Sequence, residues 1–230
     1  MLDEKTLNRT LRTTLWAALK AHGFLARTER AAWRYSDENI DVVQLQAVGQ
    51  YAEETGCPPL SLSTVIACYP AYIPADSNVP EKDGQPRPRY WHCHPFSAFL
   101  DKSLSQPWFS PFAQLRDRRT LPSFRLHQEA LKRLTDPAVH DRIDIWYMRD
   151  DGSNVDENCR DITSVVLTQG LRLLDRIHDP TQALALIDGG TLVPSTSPMA
   201  SEVRRHIQTY QDHGVRPLGP PLTEYVVGDL

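Results

Sequence analysis

"FLARTERAAWRYSDENIDVVQLQ", Phe24 to Gln46, is the stretch that decides how this chain folds. Three short segments in it, Phe24 to Thr28, Ala31 to Tyr35 and Ile40 to Gln46, are rich in aromatic and β-branched residues. The turn signals Glu29-Arg30 and Ser36-Asp37-Glu38-Asn39 separate them. Connections this short hold no crossover helix, so the three segments form an antiparallel meander. In the third, Ile40, Val42 and Gln44 alternate with Asp41, Val43 and Leu45. "LSLSTVIACY", Leu60 to Tyr69, adds a fourth strand. Its first half alternates leucine with serine, as a sheet with one wet face requires.

Outward from the meander the signals become helical. Leu7, Leu11, Leu15 and Leu19 repeat at i+4, with Trp16 and Ala18 widening the stripe. They predict a helix from about Asp3 to His22, with Asp3 as N-cap and Gly23 at the C-cap. Such a stripe has to be covered, and the sheet is the element available to cover it. Pro70 to Pro88 is a proline-rich polar excursion, and Arg89 to His94 follows it as a fifth strand. Helical pieces are expected around Phe96 to Leu104 and over Ser123 to Leu134, then a strand over Arg142 to Met148. Val155, Cys159, Ile162, Val166, Leu173 or Leu174, and Ile177 trace a long helical stripe. Asp179-Pro180 opens a further helix that Gly189-Gly190 stops, and a last one runs from Ser197-Pro198 to Gly214.

The order of helix, strand meander and helices predicts an α+β fold. Its N-terminal and later helices pack on a bent, mainly antiparallel sheet of about five or six strands. Residues 1–190 are expected to form one domain, with a C-terminal helix and irregular tail over 191–230 packed on it.

Composition sets the outer bounds. The chain has 230 residues, 40% of them apolar and 23% charged, which is ordinary for a globular protein. Its net charge of −4 provides no global basic field to hold nucleic acid. No secretory signal opens the sequence and no apolar run reaches the length of a bilayer span, so the expected compartment is the cytoplasm, with no membrane partner. Cys57, Cys68, Cys93 and Cys159 contain no C-x-x-C pair and read as mostly buried thiols.

A helix ending in Gly23-Phe24, then Trp33-Arg34-Tyr35, Val42-Val43-Gln44-Leu45-Gln46 and "LSLSTVIACYP" resembles the bacterial family called domain of unknown function 4304. "IDIWYM", the helix through Leu174 and "DPTQALALID" are similar to that family's C-terminal half, so the resemblance runs from about Leu7 to Ile187. It implies an α+β domain with a bent antiparallel sheet and brings no catalytic residues with it. The proline-rich loop before Arg89, the region from Gln106 to Thr120 and the last helix depart from the family's pattern.

The most chemically loaded stretch is "RPRYWHCHP", Arg87 to Pro95. On a strand His92 and His94 share one face and Cys93 takes the other, which keeps the thiol from either imidazole. A His-x-His pair is half of a zinc site, with His127, His140 or an aspartate from 141–156 as the distant third ligand. The reading the sequence favours is two histidines on the wet face of an edge strand beside a polar loop, with Cys93 in the core. Cys159 lies on a buried helical stripe and reads as inert. The acids from Asp141 to Glu157 lack calcium-loop spacing and read as turn and helix-start residues. Asp41 is the first acid of an incomplete nuclease pattern, since no acid-x-Lys follows on the next strand.

With every catalytic template incomplete, the expected function is a non-catalytic interaction module of the toxin-immunity or phage-defence accessory kind. Its partner is another protein, a second copy of the chain included, and it needs no cofactor. The expected contact residues are Tyr72, Arg89, Tyr90, Trp91, Trp108 and Phe109, together with the basic residues Arg116, Arg118 and Arg119. The alternative is a metal-dependent hydrolase with zinc on His92 and His94.

Overall fold

The structure is a computed structural model that describes residues 2–36, 39–48, 58, 60–104, 108–109, 139–140 and 143–222. The protein is α+β. Strands β1 (Ala26–Arg27), β2 (Ala31–Tyr35), β3 (Asn39–Ala47), β4 (Leu62–Pro70) and β7 (Ser97–Phe99) make a five-stranded sheet in the order β1-β2-β3-β4-β7. The meander is antiparallel, with Trp33 opposite Val42 and Arg34 opposite Asp41. At the other edge β7 pairs antiparallel with β4, Ile66 facing Ala98.

The proline-rich excursion contains a small hairpin of β5 (Glu81–Lys82) and β6 (Gln85–Pro86). Its turn residues Asp83 and Gly84 both have positive φ, the Asp-Gly chemistry of a two-residue hairpin loop. Strands β8 (Trp108–Phe109) and β9 (Val139–His140) form a separate pair.

Six α-helices are described: α1 (Glu4–Thr13), α2 (Leu15–Ala21), α3 (Val155–Val165), α4 (Leu171–His178), α5 (Pro180–Asp188) and α6 (Pro198–His213). A π turn, Val166–Gly170, joins α3 to α4. Asp3 caps α1, its carboxylate accepting from Thr6 N at 2.7 Å. The predicted N-terminal helix breaks at Thr14. The Thr13 and Thr14 hydroxyls both donate back to the Thr10 carbonyl, which competes with the ladder and bends the chain. The leucine stripe survives the break, with Leu7, Leu11, Leu15 and Leu19 all fully buried.

The chain folds as two compact units, each assembled from three separate stretches. The first contains residues 1–18, 45–64 and 100–165. Its core holds Leu7, Leu11, Leu62, Ile145, Trp146, Met148, Cys159 and Ile162, with α1 against α3. The second contains residues 19–44, 65–99 and 166–230. Trp33, Val42, Ile66, Tyr72, Phe96, Leu174 and Ile177 fill its core, and α4, α5 and α6 pack in succession. Full burial of each such side chain contributes roughly 1.5–3 kcal/mol, which explains why these apolar patterns rather than the polar ones set the fold.

Three expectations need correction. The strand expected over Arg89 to His94 is a 3-10 helix, Tyr90–Cys93. Local bonds replace the ladder a strand would need: His92 N donates to Arg89 O at 2.9 Å, and Arg89 N donates to His92 Nδ1 at 2.9 Å. The helical piece expected from Phe96 is β7, held by Cys68 N donating to Phe96 O at 2.9 Å and by the β4 register. The strand expected over Arg142 to Met148 shrinks to a single bridge, in which Leu62 and Trp146 exchange both backbone bonds. The helix expected over Ser123 to Leu134 lies outside the described residues. No helix among the described residues is long and apolar enough to cross a membrane.

Candidate functional site

Two places in the second unit bring chemistry-bearing side chains together. The first is buried. Asp41 lies on β3, Cys68 on β4 and His178 at the end of α4, and one ligand atom from each falls within 4.8 Å of the others. Asp41 accepts from Arg34 Nε through Oδ2 at 2.7 Å, while His178 Nε2 meets Oδ1 at 2.7 Å. Arg34 reaches Asp41 because the two residues are register partners on β2 and β3. The guanidinium also sits over the Phe24 ring at 5.2 Å. Asp41 and Cys68 are buried, but the His178 side chain is 27% exposed. Burial, and then the Asp41 charge beside it, push the Cys68 thiol well above its usual range. A protonated thiol of this kind is a poor nucleophile.

The second place is on the surface. Tyr90 and Trp91 open the 3-10 helix, and Phe99 ends β7. The Tyr90 ring meets Trp91 edge-on at 5.2 Å and Phe99 edge-on at 6.1 Å. Trp91 is 47% exposed and Phe99 46%. The turn is held in place by its own anchors. Trp33 Nε1 donates to Pro88 O at 2.8 Å, Arg87 stacks over Trp33 at 5.3 Å, and Tyr90 N donates to Gln44 Oε1.

The expected contact residues therefore separate. Tyr90 and Trp91 join a patch, with Arg89 half-buried just before them as the N-cap of the turn. Tyr72 is only 2% exposed and does not belong with them. Its hydroxyl donates to Ile177 O at 2.5 Å, and its ring packs edge-on against Phe96 and Tyr210. Trp108 and Phe109 stand on β8, and Arg116, Arg118 and Arg119 lie outside the described residues.

His92 and His94 share no strand face. His92 is buried with Nδ1 already accepting, and burial lowers the pKa of both rings. Cys93 is fully buried, its thiol donating to Arg89 O at 3.4 Å, and burial raises its pKa. Among the described residues, the group of acids, cysteines and histidines close enough to share an ion is Asp41, Cys68 and His178 instead. Cys68 and Cys93 are free thiols and, like Cys159, fully buried. Cys57 lies outside the described residues.

Sequence reasoning singled out Asp41 but missed Cys68, His178 and Phe99. The trio spans 137 positions between Asp41 and His178, so no spacing motif marks it. Phe99 was hidden by the helical reading of its strand. Comparison with protein-family models, with curated proteins and with solved structures finds no match to this chain.

Proposed function

We propose that this protein is a non-catalytic protein-interaction module whose contact patch is Tyr90, Trp91 and Phe99. The observation that carries the reading is the exposure of two large aromatic side chains that Tyr90 holds together edge-on. Rigid aromatic anchors grouped on a folded scaffold supply most of the binding energy in protein interfaces. The setting adds backbone groups to the patch. Among the described residues β7, three residues long, is an edge strand, and a partner strand can pair with the edge of a sheet. The net charge of −4 suits a partner with a basic contact surface, the kind expected of a toxin-immunity or phage-defence accessory. The motif resemblance to domain of unknown function 4304 belongs to the same proposal.

The test begins with a photo-crosslinking amino acid at position 91, used in the source cells to identify the bound protein. Affinity is then measured with purified components. Trp91→Ala and Phe99→Ala are each expected to weaken binding by roughly thirtyfold, about 2 kcal/mol, with the thermal transition unchanged. A double variant that binds the captured protein within twofold of the native chain would overturn the reading.

A further inference from the structure

We propose that Asp41, Cys68 and His178 form a binding site for one transition-metal ion of the zinc class. The donor set is one carboxylate oxygen, one sulfur and one imidazole nitrogen, carried by two adjacent strands and a helix end. Sulfur and imidazole select zinc, cobalt or iron over magnesium and calcium, which take all-oxygen shells.

The distances fit. Zinc bonds of about 2.0–2.3 Å place tetrahedral ligand atoms roughly 3.3–3.7 Å apart. The three donor atoms already lie within 4.8 Å of one another, so no pair has to close by more than about 1.5 Å to reach that spacing. The tightest pair, Asp41 Oδ1 and His178 Nε2 at 2.7 Å, is a hydrogen bond that an ion would replace. Its atoms would move apart by about 0.6–1 Å to reach tetrahedral separation.

The surroundings match what a metal ligand needs beyond its first contacts. Arg34 Nε holds the Asp41 oxygen that faces away from His178, which fixes the carboxylate plane. Asp41 and Cys68 are buried, so their donors face protein, while the part-exposed His178 ring gives the ion an entry route. A fourth tetrahedral position is left for water or another donor. The charges balance acceptably: carboxylate, thiolate and guanidinium sum to −1, and a divalent ion brings the group to +1. Binding forms metal–oxygen, metal–sulfur and metal–nitrogen bonds, releases the Cys68 proton to solvent and moves the proton on His178 Nε2 by way of solvent to Nδ1, so that the neutral ring binds through Nε2 with no change of oxidation state.

The rival account is that Arg34, Asp41 and His178 are a charge bridge that holds no ion. The two are separated with the full chain, reduced and stripped by chelator, then titrated with zinc chloride and with cobalt chloride. One equivalent is expected to bind, and the cobalt form should show sulfur-to-cobalt charge transfer in the near ultraviolet with intense visible bands of tetrahedral geometry.

Cys68→Ser should abolish the charge-transfer band and weaken zinc binding by more than roughly a hundredfold, whereas His94→Gln should change neither. Should Cys68→Ser fail to fold, His178→Gln, on the part-exposed ring, serves as the second variant and should weaken zinc binding as strongly. Absence of stoichiometric binding overturns the proposal. So does a band that persists in Cys68→Ser, or one lost in His94→Gln, which would move the ion to the His92–His94 turn.

Discussion

Asp161 is a buried carboxylate on α3 whose hydrogen-bond partners among the described residues are uncharged. Oδ2 accepts from Trp146 Nε1 at 2.7 Å and from Ser103 N at 3.1 Å, and Oδ1 accepts from the Ser103 hydroxyl. Three donors on one carboxylate make its burial tolerable, because hydrogen bonds to a charged acceptor are about twice as strong as neutral ones. Nearby, buried Lys102 donates to Ile145 O at 3.0 Å and stands 4.6 Å over the Tyr147 ring. Removing the Asp161 carboxylate strands the fully buried Trp146 indole N–H, whereas Ser103 is exposed and its amide can turn to water. Each orphaned buried donor costs about 1–3 kcal/mol. Asp161→Ala is therefore expected to lose about 2 kcal/mol in urea unfolding, and Asp161→Asn, which keeps one acceptor, clearly less. A loss below about 1 kcal/mol for the alanine variant would mean that water takes over the indole donor as well. Nothing in the sequence marks this residue. It adjoins Ile162 of the apolar stripe and reads as a polar flank, because its partners lie on two distant segments.

At the scale of one element, α6 is specified at both ends by single residues. Ser197 caps it, its hydroxyl accepting from Ala200 N at 3.1 Å. Gly214 ends it in the left-handed region, φ 66, with its N–H donating to Tyr210 O at 2.7 Å. A Cβ at Gly214 would meet nothing within 4 Å, so the cost of Gly214→Ala is backbone strain alone. That cost is about 1 kcal/mol, and Ser197→Ala costs about the same through the lost cap. The two sites stand at opposite ends of the helix, so the double variant should lose about 2 kcal/mol in urea unfolding, the sum of the singles. An Asp at 197 should retain the capping and leave stability nearly unchanged.

Elements of this kind were legible because their signals are local. Asp3, Gly23, Asp179-Pro180, Ser197-Pro198 and Gly214 each act within one turn of chain, and each sits where the sequence puts it. The meander was legible for the same reason, through short turns between strongly patterned strands. What the sequence concealed depends on distant partners. Tyr90 to Cys93 has the aromatic content of a strand, but the preceding chain is pinned by Trp33 through Pro88, fifty-five positions away. Among the described residues the strand expected around Trp146 makes one bridge, at Leu62, and one further backbone bond, from Lys102 N to Ile143 O, too few for a ladder. Of the candidate contact residues, Tyr90 and Trp91 lie together while Tyr72 is buried, a difference the sequence does not mark because exposure of an aromatic ring is a property of the packed molecule.

At the scale of the whole molecule, the described histidines whose pKa values are shifted fall in one of the two units. His92, His94 and His206 all belong to the second unit, and all have pKa values lowered chiefly by burial. At His206 the neighbouring Arg205 charge adds to the lowering, and Glu202 opposes it. A depressed folded-state value means that the unfolded chain binds more protons as the pH falls. The contribution of these rings is complete above about pH 6.5, their unfolded value, and is lost as the pH drops through the folded values. Asp3 and Asp151 of the first unit are held below their ordinary range by hydrogen bonds from Thr6 and Ser153. Their stabilisation persists down to about pH 4 and fails only below it. The second unit should accordingly loosen first. Hydrogen exchange followed by mass spectrometry at pH 7 and pH 5, corrected for intrinsic rates, should show protection falling in the second-unit part of β4, residues 65–70, and in α6, while α1 and α3 keep theirs. Replacing both His94 and His206 with Gln should flatten the pH dependence of the second unit. Equal protection of β4 and α6 at the two pH values would show that these buried rings do not govern its acid stability.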